Sequence, residues 1–158
     1  MIVSVIGSKG LAASLGKKGT SSDITLYNTS FQGKYFTFVE PETYPEKIQT
    51  LFQSINMSQF TILYITSETP RNALGECIIA VDMLKKPGII VSDSFGDDMK
   101  KFLAGTFLES FPVLPANPAD IMLALAGADP GKTDGKTKVV IDHSFDIKSV
   151  GTVVLGTV

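Results

Sequence analysis

Residues 139–158 read Val139-Val140-Ile141-Asp142-His143-Ser144-Phe145-Asp146-Ile147-Lys148-Ser149-Val150-Gly151-Thr152-Val153-Val154-Leu155-Gly156-Thr157-Val158. No proline interrupts the stretch, and Gly151 and Gly156 punctuate it. The alternation predicts a β-hairpin. Just before it, residues 129–138 are rich in glycine, lysine and aspartate, with turn chemistry throughout. The chain therefore divides near residue 130, into a domain over 1–128, a linker over 129–138 and the opening strands of a second unit over 139–158.

Upstream the periodicity is different. Residues 2–6 are a short apolar run ending at Gly7, the form of a buried strand feeding a loop. Residues 11–15 are compatible with a helix and are closed by Gly16-Lys17-Lys18-Gly19. Residues 23–27 and 35–39 read as two strands around a polar turn. Pro45 suits the first turn of a helix with apolar positions Ile48, Leu51, Phe52 and Ile55. Residues 60–65 form a β-branched and aromatic run, the mark of a central strand. Thr69-Pro70 supplies an N-cap and a first helical proline, after which Leu74, Cys77, Ile78, Val81 and Leu84 trace one helical face. Pro87-Gly88 stops that helix. Residues 89–91 then predict a strand, 97–108 a helix, 111–114 a strand and 118–126 a last helix. Strands alternating with helices argue for a mostly parallel sheet covered on both faces.

The 158 residues suffice for one α/β domain with a substantial core, and a mean hydropathy of +0.21 predicts a packed globule. A net charge of −2, with both signs mixed along the chain, gives no electrostatic footprint for nucleic acid. Apolar runs such as residues 121–126 are far too short to span a membrane, and residues 1–6 read as a first strand and not as a signal peptide. Cys77 is the sole cysteine, which excludes an internal disulfide and fits a reducing cytoplasm.

The tail, with its Ile141-Asp142-x-x-Phe145 strand and its Gly151-Thr152-Val153-Val154 turn, resembles the start of the second, β-barrel domain in translational GTPases of the EF-Tu and SelB kind, of archaeal type. Two further segments are similar to that family. Residues 17–25, with Gly19-Thr20, resemble its first switch. Residues 39–48, opening Val39-Glu40-Pro41-Glu42-Thr43-Tyr44-Pro45, fall where it carries Asp-Thr-Pro-Gly-His. The resemblance implies a small-GTPase-like, P-loop-NTPase-type α/β domain, with a mostly parallel sheet flanked by helices and a C-terminal hairpin from a truncated barrel. It implies GTP or GDP with magnesium as the cofactor, and tRNA or the ribosome as partners, reached through further domains.

Each nucleotide element can be compared with its chemistry. A phosphate loop needs Gly-x-x-x-x-Gly-Lys-Ser/Thr, because its amides wrap phosphates while the lysine and hydroxyl serve phosphate and metal. Read without gaps from Gly7, Ala12-Ala13 replace Gly-Lys and only Ser14 remains. Read with a shortened loop, Gly7, Ser8, Lys9 and Gly10 form it, and Lys9 takes the phosphate lysine's place with about four cradle residues missing. Both alignments stay open. By the resemblance, Thr20 marks the first switch and Glu40 replaces the metal-side aspartate. Tyr44 or Pro45 stands where the water-orienting histidine would be, and Asp93 could accept from guanine without the usual lysine.

Gly131-Lys132-Thr133 and Gly135-Lys136-Thr137 imitate the end of a phosphate loop, but they follow no strand and open no helix, so they read as linker. His143, the only histidine, lacks companions for a metal cluster or a triad, and Cys77 reads as a small core residue. Asp97-Asp98 complement a helix start. The expected function is a pseudo-GTPase of elongation-factor type acting as a binding module. The alternative is an active GTPase with a shortened phosphate loop. One hairpin cannot close a barrel, so the tail predicts either a fragment cut inside the second domain, which is the expectation, or a dimer through its exposed strands.

Overall fold

The computed structural model describes residues 1–129 and 140–157. Its centre is β1 (Ile2–Gly7), whose run of apolar residues is buried on both faces of a seven-stranded sheet. On one side β1 pairs in parallel with β4 (Lys34–Pro41). Beyond β4 lie the antiparallel strands β3 (Ile24–Phe31) and β2 (Lys17–Ser21). On the other side follow β5 (Phe60–Tyr64), β6 (Gly88–Val91) and β7 (Val113–Leu114), all parallel.

Helices cover both faces. α1 (Leu11–Leu15) and α5 (Pro118–Gly127) pack Leu11, Leu15, Ile121 and Leu125 on one face, against Val5 and Phe38. α2 (Ile48–Met57), α3 (Arg71–Leu84) and α4 (Asp97–Leu103) pack Leu51, Leu74 and Leu103 on the other, against Ile6 and Ile90. Full burial of a Val, Leu or Ile is worth roughly 1.5–3 kcal/mol. An exposed ion pair such as Lys85–Asp82 adds little beside this, because solvent screens it, so the two apolar layers hold the domain together. The one polar residue in the middle of β1, Ser4, is satisfied by donating to Thr61 Oγ1 at 3.0 Å.

The expected α/β class, mostly parallel sheet and C-terminal hairpin are all present. Four details differ from the expected elements. β2 forms where the sequence suggested only a turn-like closure, because its residues are all exposed and pair through their backbones. Pro45 follows a cis peptide bond and precedes α2 without entering it. Pro70 is itself the cap of α3, and Thr69 turns its hydroxyl elsewhere. The helix expected over 97–108 breaks at Gly105, whose φ of +78° opens a turn into a 3-10 helix at Phe107–Ser110. Glu109 accepts from the Gly105 amide there, and Asp82 of α3 accepts from that of Phe107.

β8 (Val140–Ile147) and β9 (Gly151–Thr157) form a separate antiparallel hairpin, with an irregularity in register between Ile141 and His143. Phe145, Ile147 and Val154 are exposed on it. The two Gly-Lys-Thr imitations at 131–133 and 135–137 lie outside the described residues.

Candidate functional site

In an open α/β sheet, ligands gather beyond the carboxyl ends of the strands where the connections part to opposite faces. Here that point is at β1. Its chain continues into α1 on one face, while β4 and β5, its two neighbours, lead to α2 and α3 on the other. Three connections meet there: residues 8–10 after β1, 42–47 after β4 and 65–70 after β5.

The β1–α1 connection has only Ser8, Lys9 and Gly10 to turn the chain. Gly7 has φ +95°, and a Cβ there would lie 2.3 Å from the Tyr64 carbonyl oxygen, so the position requires glycine on both counts. Ser8 faces β5. Its amide donates to the Tyr64 carbonyl at 2.8 Å, and its hydroxyl sits 2.9 Å from Thr66 Oγ1 and 2.5 Å from Thr69 Oγ1. Lys9 and Gly10 face β4. The Lys9 ammonium donates to the Glu42 carbonyl at 2.6 Å, and the Gly10 amide donates to Glu40 Oε1 at 3.0 Å.

Glu40 ends a strand of the sheet and is 4% exposed. Burial pushes its carboxyl above the usual carboxylate range, and the neighbouring Glu42 adds to this. The Gly10 amide, the Lys9 ammonium and the Tyr27 hydroxyl act in the opposite direction without cancelling it. Tyr27 is raised too, first by burial and then by the charges of Glu40 and Glu42. Glu42 Oε2 accepts from Thr25 at 3.0 Å, and Thr25 lies 2.9 Å from Ser21 of β2.

The connection carrying Glu42 is itself anchored. Its amides at Glu42 and Thr43 donate to the Asp23 carbonyl, and Lys47 pairs with the Asp23 carboxylate at 2.9 Å. The buried Tyr44 hydroxyl reaches α3, 2.8 Å from the Ala73 carbonyl and 2.9 Å from Glu76 Oε2. Burial raises the Tyr44 phenol, and burial likewise pushes the adjacent Cys77 thiol up to about 11. Thr43 Oγ1 is buried with no hydrogen-bond partner.

Of the sequence candidates, the structure brings together Gly7, Ser8, Lys9, Gly10 and Glu40. It sets Thr20 and Asp93 apart. Thr20 is on β2, at the sheet edge three strands from β1, and is exposed. Asp93 follows β6 and accepts from the Ala116 amide at 2.8 Å, tying together the connections after β6 and β7. Sequence reasoning missed Thr66, Thr69 and Tyr27. The only hint of the first two was a hydroxyl-rich stretch following a central strand.

The loop groups that would meet a nucleotide already have partners within the chain. The amides of Ser8 and Gly10 and the ammonium of Lys9, which would meet phosphate oxygens, are all engaged within the chain. Among the described residues no three His, Cys, Asp or Glu side chains converge as metal ligands. The spare Thr43 hydroxyl alone does not make a site for a hard divalent cation.

No protein-family model matches the chain. It is 36% identical over 154 residues to an uncharacterized protein of Methanocaldococcus jannaschii, covering 95% of this chain and 49% of that protein. It is 24% identical over 166 residues to the selenocysteine-specific elongation factor of the same organism, covering 90% of this chain and 35% of that one. The chain thus spans about half and about a third of these relatives' lengths. Translation elongation factor SelB of Methanococcus maripaludis, solved in complex with the GTP analogue GppNHp, superposes with a TM-score of 0.72 at 22% identity, over 99% of this chain and 40% of that one. A bacterial selenocysteine-specific elongation factor gives 0.61 at 17% identity, over 98% of this chain and 34% of that one. The fold of this chain is that of the SelB-type translation elongation factors, the group its tail and its two switch-like segments resemble.

Proposed function

We propose that this chain is an elongation-factor-type domain that keeps the SelB-like G-domain fold without binding a nucleoside triphosphate, and that it serves as a binding module. The Gly10–Glu40 contact carries this reading. A phosphate loop presents its amides outward to an anion. In this chain the amide next to α1 is held at 3.0 Å by a buried carboxylate of the same molecule. A γ-phosphate would meet that negative group in a place of low dielectric, where like charges repel strongly.

The partners of such a module would be tRNA or the ribosome, engaged with the help of further domains, and its place would be the cytoplasm. The boundaries proposed from sequence, 1–128, 129–138 and 139–158, would set the module apart from a barrel domain that begins with the hairpin.

The second reading is an active GTPase with a shortened phosphate loop, in which Lys9 serves the phosphates, Glu40 the magnesium and Asp93 the guanine. The GTP-analogue complex of the SelB neighbour favours it. It would require Glu40 and Lys9 to give up their present partners. Titration with a fluorescent guanine nucleotide in the presence of magnesium separates the two. The first expects no saturable signal through the micromolar range, and micromolar binding with turnover would overturn it.

A further inference from the structure

Lys9 and Gly10 of the β1–α1 loop are held by the end of β4 and the connection after it. Glu40, next to last in β4, takes the Gly10 amide, and two residues on, the Glu42 carbonyl takes the Lys9 ammonium. Two residues further, Tyr44 drives its ring into the core at 4% exposure and fixes the connection to α3 through its hydroxyl. At its far end Lys47 is tied to Asp23. A segment fastened to its own strand, to the β2–β3 turn and to α3 has little freedom to withdraw from the loop it touches.

We propose that the end of β4 and the connection that follows it form a permanent latch, which closes the β1–α1 loop with the chain's own carboxylate, Glu40, so that the loop is folded with no external anion. The latch deepens the reading given above and rests on it, since a loop that needs no phosphate is what a module without nucleotide requires. Two features give it a physical basis. First, the Gly10 amide makes a part-buried hydrogen bond to a carboxylate that is itself buried, and a bond to an ionisable acceptor is among the stronger ones. Second, of the groups facing Glu40, the Gly10 amide and Lys9 from the loop and Tyr27 from β3 hold its carboxyl in place, while Glu42 of the same latch opposes them as a like charge. On the other side of the loop Ser8 is stitched to Thr66 and Thr69, so the loop is held from β5 as well.

The test is residue-resolved amide hydrogen exchange by NMR on the full chain, with the Ile62 amide of the central strand β5 as the reference for global opening. In Glu40→Ala the Gly10 amide is expected to exchange about tenfold faster while Ile62 keeps pace with the variant's overall stability. In Glu40→Gln, whose side-chain oxygen still accepts, Gly10 keeps most of its protection. In Tyr44→Phe, which removes only the anchoring hydroxyl, the Glu42, Thr43 and Lys47 amides speed up together with Gly10. Addition of inorganic phosphate or GDP with magnesium to the wild type leaves Gly10 exchange unchanged.

Gly10 exchange in Glu40→Ala that merely follows Ile62 would overturn the latch. If Glu40→Ala does not fold, Tyr44→Phe decides: coupled acceleration of the latch amides and Gly10 supports the proposal, and unchanged Gly10 exchange overturns it. Saturable nucleotide binding by the wild type counts against the functional reading instead, and it is recorded in a separate titration.

Discussion

The amide of Gly10, at the head of α1, donates to the carboxylate of Glu40, at the end of β4, across 3.0 Å. The two residues are thirty positions apart in sequence, and the contact joins the connection leading to α1 on one face with the strand whose own connection leads to α2 on the other. Its energetics can be read through pH. The Glu40 carboxyl is held above its ordinary range, first by burial, so the folded state favours its protonated form. Such a group contributes stability that is fully present below its unfolded value and is lost as pH rises through its folded value. Glu40→Gln has no such dependence and keeps the acceptor for Gly10. The melting temperature of the wild type relative to Glu40→Gln should therefore climb as pH falls towards the usual carboxylate range. A difference that stays flat over that range would remove buried Glu40 from the account. Glu40→Ala, which removes the acceptor of the part-buried Gly10 amide, should lose about 0.5–1.5 kcal/mol in urea unfolding.

Gly7→Ala should be the most damaging single substitution in the loop. The residue's φ of +95° is unfavourable for any side chain, and the new Cβ would stand 2.3 Å from the Tyr64 carbonyl oxygen. Backbone strain of this kind costs about 1–3 kcal/mol, and the collision with a strand carbonyl adds to it, so a loss of roughly 3 kcal/mol or more is expected. The neighbouring Gly10 also has positive φ, yet a Cβ there meets nothing within 4 Å. Gly10→Ala should accordingly cost less. Equal midpoints for the two variants in urea would show that the close approach at Gly7 carries no weight.

The sheet was legible in sequence because its central strands are buried on both faces and so appear as unbroken apolar runs. β1 and β5 are of this kind. The edge strand β2 was not, because Lys17, Lys18, Gly19, Thr20 and Ser21 are all exposed, and nothing in their side chains marks them as paired. The site divides in the same way. The position of the loop follows from the strand that ends at Gly7, and Glu40 was singled out by the resemblance of residues 39–48 to a switch segment. What could not be read was which partner each group would choose. Thr66 and Thr69 meet Ser8 from about sixty residues away, and Asp93, placed by resemblance at a base, is taken up by the Ala116 amide. These choices are set by which strands become neighbours, and strand order is a tertiary property that local periodicity does not encode.

Cys77 should be inert in the native state. It is fully buried on the inner face of α3, and its thiol is pushed up to about 11, so at pH 8 it is both inaccessible and protonated. A thiol reagent in excess should label the chain only as fast as it unfolds, and the rate should rise with urea along the unfolding limb. Rapid stoichiometric labelling without denaturant would mean that α3 opens locally from the sheet, taking the Tyr44 anchor at Ala73 and Glu76 with it.

The hairpin offers the last test. Two strands alone are marginally stable in water, and β8 and β9 leave Phe145 at 44% and Val154 at 45% exposure. If these strands pair with a second copy, the chain should show a concentration-dependent mass by light scattering, and the double variant Phe145→Ser with Val154→Ser should remain monomeric. Its main melting transition should stay within about 2 °C of the wild type, because neither residue belongs to either core of the seven-stranded sheet. A wild type that stays monomeric up to about 100 μM would exclude self-pairing of the hairpin over that range. A variant whose main transition falls by much more than that would show the opposite: the hairpin would then contribute to the sheet domain's stability and could not be a separate unit.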